Sequence, residues 1–248
     1  REGVYLAGLR HWCDGDWFTG PGSIYYTTDS GEHWHLADTP SDITVVHDLA
    51  FDSVDPDTAY ASTSSGFYRS EDAGETWTRV EGELIDMGDN GSIAVEPKRE
   101  SGTEHLIVTL GPGHLRVSTD QGLNWDSLPS FPDECENVIQ IAFAPTDPPV
   151  LYAASRTGLW RSINLGQTWS RAEGELGYVN IVSLAVVKED DRAILYAATP
   201  GGYAARTDRS MITTADNGIR DDTTLVNPGV YRFAQLPPKQ LYLPIILH

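Results

Sequence analysis

Short apolar runs, many of them rich in β-branched residues, alternate along this chain with clusters of polar, glycine and proline residues. They form two interleaved series, one at residues 45–51, 92–95, 138–143 and 181–187 and the other at 58–63, 105–110, 150–155 and 194–199. Runs of this length between turn-forming residues are typical of β-strands, and no segment shows a convincing helical period. The pattern therefore predicts an all-β fold.

A third run in each repeat leads into a short motif that occurs four times. Examples of this run are Gly66–Ser70 and Gly158–Ser162, and a fourth strand is predicted to continue from the last residue of the motif. The third positions of the motifs lie 43, 48 and 44 residues apart. A fixed period in this range indicates a propeller or solenoid, in which each unit buries its face against its neighbours. The four motifs are Thr27–Trp34, Ser70–Trp77, Ser118–Trp125 and Ser162–Trp169.

Each motif contains the parts of a tight turn between two strands. An Asp or Asn side chain at the third position can accept hydrogen bonds from nearby backbone N–H groups. Glycine at the fifth position tolerates a left-handed backbone, and Trp at the eighth is a large apolar plug for the seam between sheets. In order of position, these residues are Asp29, Asp72, Asp120 and Asn164; Gly31, Gly74, Gly122 and Gly166; and Trp34, Trp77, Trp125 and Trp169.

This S/T-x-D-x-G-x-T-W form resembles the Asp-box, or BNR, repeat of sialidases, sortilin-type receptors, photosystem-assembly propellers and some xyloglucan-degrading enzymes. The second motif matches it fully, whereas His33 and Asn124 replace Thr and Asn164 replaces Asp. In those families the box joins the third and fourth strands of a blade, usually away from the ligand-binding face. The resemblance implies a β-propeller in which the box residues are structural, and it says little about function because one scaffold hosts many activities.

A propeller of about five four-stranded blades accounts for the whole chain as a single domain. Blade one lacks its first strand and opens on a second strand at Gly3–Leu9. Blade five has no legible box, and its third strand is predicted either at Tyr203–Thr207 or at Gly229–Phe233. The predicted blade boundaries are 1–40, 41–84, 85–130, 131–175 and 176–235.

An apolar strand is predicted at the C-terminus, within residues 240–248. One interpretation is that it closes the ring by supplying the strand that blade one lacks. The other is that it adds to a neighbouring molecule, a head-to-tail contact that builds a filament when it does not close. The segment also resembles the ends of secreted proteins from Chloroflexota-like bacteria. Its candidate assembly residues are Leu241, Tyr242, Leu243, Ile245, Ile246 and Leu247.

The chain is strongly acidic, with a formal net charge of −19 and a pI near 4.5. Such a surface repels phosphate backbones and anionic membranes, which argues against nucleic-acid partners. No apolar stretch approaches the roughly 18 residues needed to span a bilayer. The first residue is Arg1 instead of Met, from which we expect a processed, secreted product.

The two cysteines, Cys13 and Cys135, do not have metal-ligand spacing. In a propeller they fall on loops that emerge on the same face, so a disulfide between them is geometrically feasible. We predict this bond, and with it an extracellular location; the alternative is two buried thiols. The bond would close a loop of about 120 residues and contribute about 4 kcal/mol.

Two insertions interrupt the repeat and are candidates for function. The first carries Trp12, Trp17 and Phe18, which suit either a glycan or a protein ligand, or else cap the core. The second spans residues 207–228 and is rich in oxygen ligands. Calcium there is a weaker alternative to a solvated loop, because the spacing is not that of an EF-hand. We therefore predict no required cofactor and no metal site. The oxygen-bearing residues are Asp208, Asp216, Asn217, Asp221 and Asp222.

No catalytic motif stands out in the sequence. Arg69, Arg161 and Arg232 suggest the arginine triad of a sialidase, but they occupy equivalent places in the repeat and so recur for structural reasons. No motif selects a pair of carboxylates for glycoside hydrolysis, and the nucleophile-elbow, phosphate-loop and HExxH patterns are missing.

These observations favour a non-catalytic, secreted propeller that acts as a structural or interaction module and self-assembles through its last strand. Two alternatives remain open at this point. One is a carbohydrate-binding or sialidase-like hydrolytic propeller, and the other is a periplasmic assembly factor that binds a protein client.

Overall fold

Every regular element that the structure describes is a β-strand, apart from one turn of 3-10 helix at Glu175–Tyr178. The structure is a computed structural model, and the fold is all-β, as the pattern of apolar runs predicts. None of the helical segments in the described ranges has the length and apolar character required to cross a bilayer. The described residues are 3–9, 23–43, 45–80, 91–98, 106–110, 114–146, 148–173, 175–189, 192–199, 204–209 and 224–226.

The strands form five sheets, named here the first to the fifth, and each sheet joins strands that are consecutive in the chain. The strand orders are β1-β2-β3, β4-β5-β6-β7, β11-β10-β9-β8, β12-β13-β14-β15 and β16-β17-β18-β19. The bounds are β1 Tyr5–Leu9, β2 Ser23–Thr27, β3 His35–Leu36, β4 Val46–Phe51, β5 Ala59–Thr63, β6 Gly66–Ser70, β7 Thr78–Arg79, β8 Ile93–Val95, β9 Leu106–Leu110, β10 His114–Ser118, β11 Asp126–Leu128, β12 Val138–Ala144, β13 Val150–Ser155, β14 Gly158–Ser162, β15 Ser170–Arg171, β16 Ser183–Glu189, β17 Arg192–Ala198, β18 Ala204–Arg209 and β19 Thr224–Val226.

The strand positions follow the sequence prediction closely. The third strands Gly66–Ser70 and Gly158–Ser162 have the predicted bounds, and each is followed by a box and a short fourth strand. In the fifth sheet the third strand is the earlier of the two alternatives, because β18 begins at Ala204 and pairs with both β17 and β19. The later alternative, Gly229–Phe233, lies outside the described residues. The number of blades and their boundaries stay predictions.

The first strands of the second and fourth sheets share an irregularity that ties each sheet to the next. The register of β4 shifts between Val46 and Asp48, and that of β12 shifts between Val138 and Gln140. The polar side chain after the shift then accepts a backbone N–H from the neighbouring sheet. Asp48 Oδ2 accepts from Ile93 N at 2.9 Å, and Gln140 Oε1 accepts from Leu184 N at 2.8 Å.

The described chain divides into two compact units, one within Arg1–Gly111 and Arg116–Ser127 and the other within Pro112–Leu115 and Leu128–Leu236. In the first unit one buried cluster lies between the first and second sheets, where Ile24, Ile43 and Tyr68 are completely buried, and another lies between the second and third sheets. The core of the second unit lies between the fourth and fifth sheets. Apolar burial of this kind is the main favourable term in folding.

Candidate functional site

The second box shows what each motif residue contributes to its turn. Ser70 Oγ donates to Asp72 Oδ1 at 2.7 Å and accepts the backbone N–H of Gly74 at 2.9 Å. The carboxylate of Asp72 also accepts the backbone N–H of Thr76 at 2.9 Å and the Thr76 hydroxyl at 2.6 Å. These bonds satisfy backbone groups that have no partner strand at the turn.

The other three boxes repeat this network with different side chains. In the first, Asp29 accepts the backbone N–H of His33 at 2.9 Å and contacts the His33 ring Nδ1 at 2.7 Å. In the third, Asn124 Nδ2 donates to Asp120 at 2.6 Å. In the fourth, Asn164 Oδ1 accepts the backbone N–H of Thr168, and its Nδ2 donates to the Thr168 hydroxyl, both at 2.9 Å. All three departures from the box pattern therefore preserve the turn.

The residue before the box glycine also has a left-handed backbone, which the sequence did not indicate. The φ angles at the fourth position are 65° at Ser30, 63° at Ala73, 59° at Gln121 and 57° at Leu165. The glycines that follow have φ between 81° and 94°. Two successive left-handed residues reverse the chain and point several N–H groups at the Ser or Thr oxygen. The variety of residues at the fourth position hid this feature.

Hydrogen bonds lower the pKa of the box carboxyl groups. At Asp29 the largest cause is the backbone N–H of His33, with further contributions from Thr27 and the His33 ring. At Asp72 and Asp120 burial acts in the opposite direction, but the side-chain and backbone hydrogen bonds together outweigh it. Carboxylates whose oxygens already accept the hydrogen bonds of their own turn are poorly suited to proton transfer.

The box tryptophans differ in their surroundings. Trp77 is buried and donates Nε1 to Gly74 O at 3.0 Å, and Trp125 donates Nε1 to Gly122 O at 2.8 Å. Trp34 is exposed. Within the described residues Trp169 Nε1 has no hydrogen-bond partner, and its ring packs on Phe131 with a centroid distance of 4.6 Å. The predicted plug is therefore complete at the second box and incomplete at the first.

One cluster in the described ranges has the composition of a metal site. Potential ligand atoms of Asp29, Glu32 and His33 lie within 4.8 Å of one another. All three residues are exposed, and the Asp29 oxygens already accept the hydrogen bonds of the first box, so we assign no metal to this cluster. Most of the acidic 207–228 insertion lies outside the described residues, and the calcium alternative there stays untested.

Several predicted site residues also lie outside the described residues. These are Cys13 and the candidate binding face of Trp12, Trp17 and Phe18, together with the assembly residues Leu241, Tyr242, Leu243, Ile245, Ile246 and Leu247. Cys135 is buried and has no disulfide partner in the part of the chain that is described. Its bond to Cys13 stays a prediction.

The closest tyrosine–carboxylate pair in the described ranges is not a catalytic arrangement. Tyr60 donates its hydroxyl to Asp52 Oδ2 at 2.5 Å, and burial is the main reason that the pKa of Tyr60 is raised. Both residues are buried, and Asp52 also accepts the backbone N–H groups of Val54 and Asp55. The pair therefore holds the loop after β4. Of the predicted arginine positions, Arg69 pairs in register with Tyr60, and Arg161 occupies the same place opposite Tyr152.

A second candidate site lies at the edge of the fourth sheet, at the end opposite the fourth box. Arg171 on β15 lies between two aromatic rings, with its guanidinium carbon 4.4 Å from the centre of Trp160 and 4.9 Å from the centre of Tyr178. Arg171 Nη1 donates to the carbonyls of Thr157 and Gly177. Trp160 is buried, whereas Tyr178 is 77% exposed. The solvent-exposed ring of Tyr178 is thus packed against the guanidinium of Arg171.

Two glycines allow this arrangement in the fourth sheet. A Cβ atom at Gly158, where φ is 136°, would lie 2.0 Å from Gly177 O. A Cβ atom at Gly177 would lie 2.2 Å from Ala172 O. The 3-10 turn that carries Tyr178 therefore rests directly on the β13–β14 turn, backbone against backbone. We name Trp160, Arg171 and Tyr178 with this 3-10 turn the Tyr178 platform.

The equivalent place in the second sheet contains a different set of contacts. Arg79 donates to the carbonyl of Ser65 at 2.7 Å and forms an ion pair with Asp42 at 3.3 Å. In the fourth sheet no carboxylate in the described ranges forms an ion pair with Arg171. Aromatic rings and backbone carbonyls hold this arginine in place of a carboxylate. Sequence reasoning missed Tyr178, because a single aromatic residue between two strands gives no sign of its exposure.

An acidic segment adjoins the Tyr178 platform. The Thr157 hydroxyl donates to Glu134 O at 2.7 Å and accepts the backbone N–H of Glu136 at 3.3 Å, so this segment is tied to the β13–β14 turn. Glu134 and Glu136 are exposed, and Cys135 between them is buried. Burial raises the pKa of the Cys135 thiol to about 12, which keeps the thiol protonated at neutral pH.

Comparisons with known proteins place the fold among β-propellers. No protein-family model matches the chain. The chain is 36% identical over an alignment of 87 residues to vacuolar protein sorting/targeting protein 10 of Laccaria bicolor. This alignment covers 34% of this chain and 5% of that protein. The chain is also 29% identical over 145 residues to a probable oligoxyloglucan-reducing end-specific xyloglucanase of Neosartorya fischeri. This alignment covers 51% of this chain and 17% of the xyloglucanase. The chain thus spans a small part of the length of these relatives.

Two solved structures are similar to the chain in fold. The first is an ancestral GH74 enzyme, with a TM-score of 0.56 and 18% identity, covering 91% of this chain and 31% of that one. The second is YCF48 bound to D1 peptide, with a TM-score of 0.50 and 16% identity, covering 75% and 58%. At this level of identity the likeness concerns the propeller fold alone.

Proposed function

We propose that this chain is an extracellular, non-catalytic propeller that binds a protein partner through the Tyr178 platform. The observation that carries the proposal is the 77% exposure of a Tyr ring whose position is fixed by Arg171. Exposed aromatic residues with little freedom to lose are favoured anchors of protein interfaces. A peptide ligand is named for one of the similar structures, YCF48 bound to D1 peptide.

The chemistry around the platform supports binding over catalysis. The three side chains that define the platform are a guanidinium and two aromatic rings, and these groups are suited to cation–π and apolar contacts with a ligand. Cys135 on the adjoining acidic segment is buried, and burial raises the pKa of its thiol to about 12, so the thiol is a poor nucleophile. The box carboxylates are engaged in their own turns. We therefore assign them the structural role that the sequence predicts.

A peptide-display selection against the full chain tests this proposal. Enriched peptides are synthesised, and their affinities are measured for the native chain and for Tyr178→Ala. We expect the substitution to weaken binding at least about tenfold, because it removes a central aromatic anchor. Ile163→Ala is the matched control, since Ile163 is 62% exposed at the box end of the same sheet. Peptides that bind Tyr178→Ala as tightly as the native chain would contradict the proposal.

A glycan ligand is the second candidate function. An exposed aromatic ring also suits the apolar face of a sugar, and a xyloglucanase is among the relatives. The candidate face of Trp12 and Trp17 belongs to this alternative. Incubation with xyloglucan oligosaccharides, followed by an assay for new reducing ends and by calorimetry, tests both hydrolysis and binding. Binding or turnover that is lost in Trp12→Ala or Trp17→Ala would favour this function over a peptide ligand.

Self-assembly through residues 241–247 is a separate part of the proposal and rests on the sequence alone. The apolar strand that the sequence predicts within these residues needs a partner strand, either in its own ring or in a neighbouring molecule. Light scattering of the full chain and of a chain that ends at residue 239 distinguishes the two. Polymers that become folded monomers on truncation support a filament subunit. A monomeric full chain that unfolds on truncation indicates ring closure instead.

A further inference from the structure

We infer that the Tyr178 platform recognises a basic, proline-containing extended segment of its partner. This inference rests on the proposed function and names the chemistry of the ligand. The inference depends on two features. One is the free face of the Tyr178 ring, and the other is the excess of carboxylates beside the platform.

The free face of the Tyr178 ring is suited to an apolar ring and poorly suited to a second cation. Arg171 already covers one face at 4.9 Å. A cation is attracted to an aromatic ring by the negative charge of its face, so a second cation on the opposite side would meet the repulsion of the first. A proline ring carries no charge, and its partly positive C–H groups can pack flat against an exposed aromatic side chain.

The platform is also rigid before any ligand arrives. Arg171 donates to Gly177 O at 2.7 Å, which fixes the backbone next to Tyr178. The contact between Gly158 and Gly177 leaves no room for the 3-10 turn to settle closer to the sheet. Extended proline-containing segments are similarly preorganised, so that neither side pays a large ordering cost on association.

Charge beside the platform determines which residues should flank the proline. Asp133, Glu134 and Glu136 are exposed on the segment that Thr157 ties to the β13–β14 turn. The exposed cation on the same turn is Arg156, whose backbone N–H donates to Glu136 O at 3.3 Å. Carboxylates thus outnumber exposed cations here, and the whole chain carries a net charge of −19. Lys or Arg next to the proline complements this surface, whereas an acidic segment would be repelled.

Three labelled peptides of about twelve residues test the inference by fluorescence anisotropy. The first alternates Pro with Arg, the second replaces each Arg by Glu, and the third replaces each Pro by Ala. We expect the Pro/Arg peptide to bind at least about tenfold more tightly than either of the others. We also expect its affinity to fall several-fold when the salt concentration rises from about 50 mM to about 500 mM, because exposed charges are screened.

Variants of the full chain assign the binding to the platform. Tyr178→Ala should lose the Pro/Arg peptide, whereas Tyr178→Phe keeps the ring and should retain it. Glu134→Gln combined with Glu136→Gln should weaken binding of the Pro/Arg peptide several-fold. The unfolding midpoint of this double variant should equal that of the native chain. Ile163→Ala should bind as the native chain does. Matching unfolding midpoints for all variants exclude loss of folding as the cause.

The outcomes separate this inference from the proposed function. Tighter binding of the Pro/Glu peptide, or equal binding of the Ala/Arg peptide, overturns the inference. Selected peptides that depend on Tyr178 but contain neither Pro nor basic residues also overturn it, while the proposed function stands. If no selected peptide depends on Tyr178, both are overturned.

Discussion

An amide does at the fourth box what a carboxylate does at the other three. Asn164 Oδ1 accepts the backbone N–H of Thr168, as Asp72 accepts that of Thr76. Asn164 Nδ2 donates to the Thr168 hydroxyl, whereas the Thr76 hydroxyl donates to Asp72. The position therefore requires a short side chain with an acceptor oxygen and a second polar atom. A negative charge strengthens the network but is not its basis.

Replacing Asp72 tests this view at the box that matches the pattern fully. Asp72→Ala removes the acceptor for Thr76 N, the Thr76 hydroxyl and Ser70 Oγ, and we expect a loss of about 2 kcal/mol in the free energy of unfolding. Asp72→Asn should lose less than about 1 kcal/mol, because the fourth box folds with an amide. Urea denaturation measures both values. An Asn variant as unstable as the Ala variant would show that charge is essential.

A second residue, Asp48, predicts a dependence of stability on pH. Burial raises its pKa from 3.8 to about 6, although Ile93, Ser92 and Leu49 donate hydrogen bonds to it. Between these two pH values the folded chain binds a proton that the unfolded chain does not. The contribution of Asp48 to the free energy of unfolding therefore rises as pH falls through this window.

Asp48→Asn removes this titration and serves as the comparison. Between about pH 7.5 and about pH 4.5, the native chain should gain on the order of 2 kcal/mol of stability relative to the variant. Gln140, the neutral residue at the equivalent place in the fourth sheet, shows that an amide can accept this hydrogen bond. Urea unfolding at both pH values measures the effect. A difference in stability that is independent of pH would mean that Asp48 stays ionised in the folded chain.

At the scale of elements, backbone contact between glycines determines where the 3-10 turn sits. Gly158 ends the β13–β14 turn at a φ of 136°, and Gly177 lies directly on it. Gly66 has nearly the same φ of 139° at the equivalent place in the second sheet. The left-handed glycine is thus shared by the two turns, and in the fourth sheet it brings the turn into close contact with Gly177.

Gly158→Ala should be far more damaging than an alanine at Gly31, the glycine of the first box. The new Cβ would overlap Gly177 O as well as adopt an unfavourable φ, and we expect a loss above about 3 kcal/mol. Gly31→Ala is the control, because φ is 91° there but the nearest atom to a new Cβ lies at 3.8 Å; about 1 kcal/mol is expected. Thermal unfolding compares the two. Equal losses would indicate that the overlap is relieved by movement of the 3-10 turn.

At the scale of the whole molecule, the net charge of −19 is the dominant electrostatic feature. Mutual repulsion of surface carboxylates opposes compact folding, and salt screens it. We expect the free energy of unfolding to rise by about 1 kcal/mol between about 10 mM and about 500 mM NaCl. Urea titrations at a series of NaCl concentrations measure this change. Stability that does not respond to salt would show that the charges are spaced widely enough to be independent.

Much of the fold could be predicted because it depends on local rules. The apolar runs and box motifs placed β6 and β14 at their observed bounds, since alternation, turn residues and the repeat period act over a few neighbouring residues. The candidate site was less accessible. Sequence reasoning singled out Trp12, Trp17 and Phe18 by their unusual composition, whereas Tyr178 attracts no attention as a single aromatic residue between two strands.

The sequence by itself determined the all-β class, the order of the strands, the four box turns and the acidic charge, because each is written in the types and spacing of nearby residues. Only the tertiary structure decided that Arg171 lies between Trp160 and Tyr178, and that Asp48 accepts a backbone hydrogen bond from the next sheet. These contacts join residues that are distant in sequence, and the energy of each contact depends on which groups are removed from water together. Exposure and partnership are properties of the packed chain, so no local pattern could predict them.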